Sequence, residues 1–286
     1  MEKIGIPAIK GYKSRDEKFV VLAVSDHPFA RLAEAAGIPC LLVGDSIGMT
    51  VYGFPSLLPV TMDLMVAHTS AVRRGAPNAF LIGDLPFLTY EVSPHEAVRN
   101  AGRFMAECGC DAVKLEGGRS RVETVKSIVS ASIPVVGHIG FTPQSMAMSG
   151  GFQPPGQDLE ASLRLIEDAA LLVDAGVCML MLEAVPADVA AVIAERSSVP
   201  VVGFGSGPGV DGQILLVHDL IGMFEAFTGR FAKKYINMSE AVKGAMAQFK
   251  EDVTKGEFPK SEYYMSLPDA EAQKLRTSLA SQVNLI

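Results

Sequence analysis

Leu41-Leu42-Val43-Gly44-Asp45-Ser46-Ile47-Gly48 opens as a short apolar run and stops abruptly at Gly-Asp-Ser. The run has the length and composition of a buried strand, and the carboxylate stands where the chain leaves the core. The same design recurs at Ala79-Phe80-Leu81-Ile82-Gly83-Asp84, at Ala112-Val113-Lys114-Leu115-Glu116 and at Cys178-Met179-Leu180-Met181-Leu182-Glu183. Four apolar strands that each end in an acid call for a geometry that brings acids together. A parallel barrel supplies it, because the C-terminal ends of all its strands share one rim.

Outward from these strands, helical stretches alternate with further apolar runs. Strands are expected at 18–24, 133–138 and 199–205, and a short eighth within 210–222. Asp26 and Ser93-Pro94-His95-Glu96 read as helix starts, the latter a capping box. Strands alternating with helices over the whole length give a (β/α)8 barrel rather than an open doubly wound sheet. A single barrel domain over residues 1–260 and a polar tail over 261–286 are expected. Gly203-Phe204-Gly205-Ser206-Gly207-Pro208-Gly209 follows strand seven, where barrels often bind phosphate, but a tight turn is the favoured reading.

At 286 residues, with 49% hydrophobic and 20% charged residues, the composition is that of an ordinary soluble protein rather than a disordered one. A formal charge of −7 argues against a nucleic-acid partner, since no basic stripe would release phosphate counterions. The N-terminal 18 residues lack the apolar region of a signal peptide. The run from Ile214 to Phe227 is interrupted by His218, Asp219 and Glu225, so no membrane span is expected. Cys108-Gly109-Cys110 is too tight for an ordinary disulfide, and Cys40 and Cys178 sit in strand-like runs. Reduced thiols in a cytoplasm are expected.

The rim residues carry the chemistry. Asp45, Asp84 and Glu116 are hard oxygen donors from successive strand ends and suit Mg²⁺, which fills its remaining positions with water or substrate oxygens. Each alone reads equally well as a helix cap or surface ion pair. Lys114 lies two residues before Glu116, so both side chains face the same side of their strand. An inward lysine there either pairs with an acid or binds an anionic substrate. His138 is placed to contact an oxyanion or to serve as a structural histidine. Glu183 is a candidate general base if burial raises its pKa.

The chain resembles the ketopantoate hydroxymethyltransferase family of the phosphoenolpyruvate/pyruvate barrel superfamily. The matching stretches include Leu42 to Met49, His68 to Gly75, Asp84-Leu85-Pro86-Phe87, Val113 to Gly118, Gly137 to Ser145, Leu182 to Pro186 and Asp211-Gly212-Gln213, in family order to about residue 259. The resemblance implies Mg²⁺ on Asp45, Asp84 and Glu116. It also implies a 2-oxo acid contacted by Asp45, Ser46, Asp84 and Lys114, with Glu183 as proton acceptor. The implied reaction transfers a one-carbon unit from 5,10-methylenetetrahydrofolate to 3-methyl-2-oxobutanoate through an enolate, giving 2-dehydropantoate for pantothenate synthesis. A cytoplasmic homo-oligomer is implied too, the family being typically decameric. Three stretches depart from the family pattern: Ser25 where a tyrosine is usual, Gly150-Gly151-Phe152-Gln153-Pro154-Pro155-Gly156, and Glu262-Tyr263-Tyr264-Met265. Alternatives are a paralogue using another 2-oxo acid, a folate-independent Mg²⁺-dependent lyase, and a non-enzymatic oligomeric scaffold.

Overall fold

In the computed structural model, which describes residues 2–225 and 231–280, eight parallel strands close into a barrel in sequence order. They are β1 (Phe19–Ala23), β2 (Cys40–Val43), β3 (Phe80–Asp84), β4 (Ala112–Glu116), β5 (Val135–Gly140), β6 (Met179–Glu183), β7 (Val201–Phe204) and β8 (Gly212–Leu216). β8 returns to β1, pairing Phe19 with Gly212 and Ala23 with Leu216. The (β/α)8 reading is therefore correct, including the short eighth strand.

Alternation along the strands divides the core in two. Phe19, Val21, Leu42, Phe80, Ile82, Ala112, Val136, Met179 and Met181 point inward and fill the barrel. Their neighbours Leu22, Leu41, Leu81, Val113, Leu115, Leu180 and Val201 point outward against the helices. Because the side-chain period is two, the inward row continues at the C-terminal end into Asp84, Lys114, Glu116, His138 and Glu183. The pattern that fills the barrel thus also aims these ionisable groups at its mouth.

The outer helices begin where polar side chains take up their free N–H groups. Asp26 caps His27–Ala35, Thr61 caps Met62–Gly75, Ser93 caps Pro94–Cys108 and Asp158 caps Leu159–Asp174, each accepting from a main-chain N–H three residues on. The helix start read at Ser93 is one of them, its Oγ accepting from the Glu96 main-chain N–H at 3.2 Å. Two glycines are dictated by close approach. Gly140 has φ +103°, and a Cβ there would lie 2.3 Å from the Glu183 carbonyl oxygen. Gly207 has φ +79°, and a Cβ there would meet the Ala187 methyl at 2.5 Å. The glycine-rich stretch after β7 is thus explained as a tight turn beneath the helix Ala187–Arg196.

One element escapes the sequence reading. Residues Ile6–Ser14 form a helix, and its Ile9 joins the inward-facing core while Tyr12 stacks on Phe19 at 5.1 Å. This helix plugs the N-terminal end of the barrel.

By contacts the chain divides into a unit Met1–Ile236 and a unit Asn237–Ile286. The division falls earlier than the expected boundary at 260, because the helix Met238–Lys255 belongs with the C-terminal unit. The stretch expected as a polar tail over 261–286 holds a helix at Asp269–Ala280, and residues 281–286 lie outside the described ones. Within this unit Phe258 packs edge-on to Phe249 and against Tyr263. Among the described residues no helix is long and apolar enough to cross a membrane.

Candidate active site

β2, β3 and β4 deliver Asp45, Asp84, Lys114 and Glu116 to the barrel mouth, and all four are at least 96% buried. Asp84 Oδ2 accepts from the Asp45 main-chain N–H at 3.1 Å and from Lys114 Nζ at 3.0 Å. Lys114 Nζ lies 3.5 Å from Glu116 Oε1, so one cation sits between two carboxylates. Burial works against the charge of Lys114, but Asp84, Glu116 and Asp45 outweigh it and hold the ammonium above its ordinary range. Burial also disfavours ionised Glu116, yet Lys114 and His138 bring that carboxyl below its usual value. Asp45 is the converse case. Burial first, then the Asp84 charge, push it well up. Asp84 is raised as well, by burial against the opposing pull of Lys114.

β5 and β6 bring two further groups. His138 Nδ1 is 3.4 Å from Glu116 Oε1 and its Nε2 is 3.4 Å from Glu183 Oε2. These are ion-pair contacts at long range, and neither ring nitrogen has a hydrogen-bond partner among the described residues. Burial and Lys114 oppose protonation of the imidazole, but the two carboxylates prevail and push it up to about 9. Glu183 is the most open member, with its side chain 20% exposed. Ala184-Val185-Pro186 follow it in sequence, but they are not what faces the carboxylate. Its neighbour is the His138 ring, because the chain turns away immediately after β6. That turn places Ala184 at φ +53°, a left-handed conformation costly for a residue with a side chain. Ser206 Oγ secures it, donating to Leu182 O at 2.9 Å and accepting from Val185 N at 3.2 Å.

Ser46 stands at the start of the short helix Ile47–Thr50 and lines a small cavity with Ser25, Thr50, Leu216 and His218. Of the histidines given no chemistry in the sequence, His68 bridges Tyr52 Oη at 2.8 Å and the Ser25 carbonyl at 2.5 Å.

Two residues with no assigned role complete the network. Gln144, in the turn Pro143–Ser145, and Tyr90, after β3, are both buried. Gln144 donates its Nε2 to Asp45 Oδ2 at 2.8 Å and its main-chain N–H to Glu116 Oε2 at 3.1 Å. Tyr90 Oη donates to Gln144 Oε1 at 2.5 Å. Gln144 was visible only as part of a motif and Tyr90 had no signal at all, since both lie in irregular segments without periodicity.

The donor set suits a hard cation. Asp84 Oδ1 is buried without a hydrogen-bond partner among the described residues, and the Asp45 and Asp84 carboxyls are pushed up by burial, which a nearby positive charge would offset. Among the described residues no group of three or more His, Cys, Asp or Glu side chains is gathered closely enough to hold a metal by itself. Lys114 Nζ stands between two of the acids, 3.0 Å from Asp84 and 3.5 Å from Glu116. A cation here would complete its shell with oxygens of a small ligand, as Mg²⁺ commonly does.

Comparison with known proteins agrees with this architecture. A family profile described as ketopantoate hydroxymethyltransferase matches residues 3–261. The chain belongs to that family. The 3-methyl-2-oxobutanoate hydroxymethyltransferase of Syntrophomonas wolfei is 45% identical over 275 residues, covering 96% of this chain and all of the relative. The protein of the same name from Syntrophus aciditrophicus is 48% identical, covering 91% of this chain and 96% of its own. Among solved structures, a phosphonopyruvate hydrolase complexed with oxalate and Mg²⁺ superposes with a TM-score of 0.60 at 14% identity, covering 99% of this chain and 98% of the other. Phosphoenolpyruvate phosphomutase from Streptomyces platensis gives 0.61 at 12% identity, covering 98% of each chain. These distant likenesses speak for the fold.

Proposed function

We propose that this chain transfers a hydroxymethyl group from 5,10-methylenetetrahydrofolate to 3-methyl-2-oxobutanoate, giving 2-dehydropantoate. One observation carries the reading beyond family membership: Lys114 is buried between Asp84 and Glu116, and His138 links Glu116 to Glu183 at the same mouth. Asp45, Asp84 and Glu116 are the residues that would hold Mg²⁺. A bound Mg²⁺ supplies Lewis-acid polarisation of the oxo acid and so acidifies its C3–H. Lys114 and Ser46 bind the substrate carboxylate and keto group, with Asp84 holding the ammonium in place. Glu183, the exposed carboxylate at the mouth, accepts the C3 proton. His138, 3.4 Å from Glu183, orients that carboxylate and contributes positive charge beside the developing negative charge. The carbon freed of its proton then bonds to the folate methylene carbon; both methylene carbon–nitrogen bonds break, one water supplies the hydroxyl, and the C3 proton and the proton left by the water end on the two nitrogens of the departing tetrahydrofolate.

The same reading takes the chain as a cytoplasmic homo-oligomer. Its four cysteines are free and buried, in keeping with a reducing compartment. Sedimentation velocity reads the stoichiometry. The activity is tested by NMR of C3–H exchange in several 2-oxo acids, with and without Mg²⁺ and the methylene-folate. Mg²⁺-dependent exchange in 3-methyl-2-oxobutanoate, with product only when folate is added, is expected. Product from another oxo acid alone points to a paralogue. Carbon–carbon cleavage without folate points to a lyase.

A further inference from the structure

We infer that Gln144, steadied by Tyr90, is a positioning residue that sets which carboxylate oxygens Asp45 and Glu116 offer to a bound cation. The inference rests on the Mg²⁺ reading above. Gln144 bonds two of the three rim acids, its side-chain amide donating to Asp45 and its main-chain N–H to Glu116. It lies 99 residues from Asp45 in sequence, so it ties the β5 end to the β2 end across the mouth.

The orientation of the amide is fixed by its partners. Asp45 Oδ2 at 2.8 Å and the Leu85 carbonyl at 3.1 Å are both acceptors, so the NH2 group must face them. The amide oxygen therefore faces Tyr90, whose hydroxyl donates to it at 2.5 Å. The Tyr90 oxygen in turn accepts from the Glu116 main-chain N–H at 3.2 Å, which closes a loop through the same acid. Tyr90 and Gln144 are only 2% and 3% exposed, so no solvent competes for these bonds. Reversing the amide would set its oxygen against a carboxylate and a carbonyl in a buried site. The network thus has one arrangement.

That arrangement takes Oδ2 of Asp45 and Oε2 of Glu116. It leaves Asp45 Oδ1 for a ligand and turns Glu116 Oε1 toward Lys114 and His138. Hydrogen-bonded partners of ligating carboxylates orient them, and losing one typically costs 10- to 100-fold in metal affinity.

The test is calorimetric titration of metal-free, full-length protein with MgCl2, together with thermal melting without Mg²⁺. Gln144→Met keeps the length and removes donors and acceptor. Tyr90→Phe keeps the ring, over which Arg121 sits at 5.7 Å, and removes only the hydroxyl. Gln144→Met is expected to weaken Mg²⁺ binding by about 10- to 100-fold, and Tyr90→Phe by a smaller factor in the same direction. Wild-type Mg²⁺ affinity in both, with only a lower metal-free Tm, makes Gln144 a packing residue and overturns the inference. If Gln144→Met fails to fold, Tyr90→Phe decides alone. Wild-type protein that takes up no Mg²⁺ sinks the metal reading, and this inference with it, whereas normal uptake by wild type and variants alike sinks the inference only.

Discussion

At the N-terminal end of the barrel, Asp111 Oδ2 accepts from Lys3 at 2.5 Å, Arg73 at 2.6 Å and the Leu81 main-chain N–H at 2.9 Å. Asp211 repeats the device before β8, accepting from Lys13 at 3.0 Å and from Val201 N at 2.8 Å. At the C-terminal end, Asp84 Oδ1 and both nitrogens of His138 are buried without a hydrogen-bond partner among the described residues. Both ends place acids beside cations at strand termini. One end saturates them and the other leaves capacity unused. Buried polar groups are ordinarily satisfied, so the unsaturated end is where the protein gives up stability for chemistry. In barrels the C-terminal rim is the catalytic one and the opposite end serves stability.

The largest expected effect is at the unsaturated end. Glu183→Gln keeps the shape and the His138 contact but removes the base. Turnover and C3–H exchange should both fall by ~10²–10⁴-fold, with Mg²⁺ and oxo acid still bound. Exchange at the wild-type rate would show that another group removes the proton.

Lys114→Met comes next. It leaves Asp84 and Glu116 without the cation between them, and it removes a charged donor to the substrate carboxylate. Oxo-acid affinity should fall by about 10- to 100-fold, the worth of one charge-assisted hydrogen bond, and far more than Mg²⁺ affinity. Equal oxo-acid binding, read by calorimetry, would make Lys114 a structural ion-pair partner and align the rim with the opposite end.

Arg73→Ala probes that opposite end. Arg73 also caps carbonyls of Ala76, Pro77, Ala79 and Gly109. Its loss should lower stability by about 2–3 kcal/mol, read from urea midpoints, with kcat unchanged below the transition. A matching fall in kcat would mean that the two ends are coupled.

The barrel and its rim acids are legible in sequence for one reason: a short apolar run ended by an acid is a local pattern that carries three-dimensional meaning. Asp84, Lys114, Glu116 and Glu183 extend the inward row that begins with Phe80, Ala112 and Met179. Residues outside any period are not legible. Tyr90 and Gln144 lie in irregular segments and reach the acids only through the closure of the barrel. The N-terminal helix is hard to read because Pro7, Gly11, Lys10, Lys13 and Ser14 interrupt an apolar face reduced to Ile6, Ile9 and Tyr12. Glu183 shows the limit from the other side. Its sequence neighbours are apolar, but its spatial neighbour is His138, brought by β5.

The smallest expected effect sharpens the comparison most, because it separates stability from aim. Ala184 follows Glu183 at φ +53°. Glycine there would relieve strain of about 1–3 kcal/mol. It would also lose a buried methyl worth ~0.8 kcal/mol and loosen the unfolded chain by about 0.5–1 kcal/mol. These terms nearly cancel, so Ala184→Gly should leave the urea midpoint close to wild type. The turn itself would be freer, restrained by Ser206, by the bond from Ala184 N to Phe204 O at 2.8 Å and by that from Phe141 N to Glu183 O at 2.8 Å, but no longer by the backbone preference of an alanine. Glu183 would spend less time facing the mouth, and kcat should fall while oxo-acid affinity holds. A saturated site does not behave this way: loosening a turn beside Asp111 would show in stability first. If Ala184→Gly keeps full kcat, the strained turn does not aim the carboxylate, and the contact with His138 is sufficient to hold it.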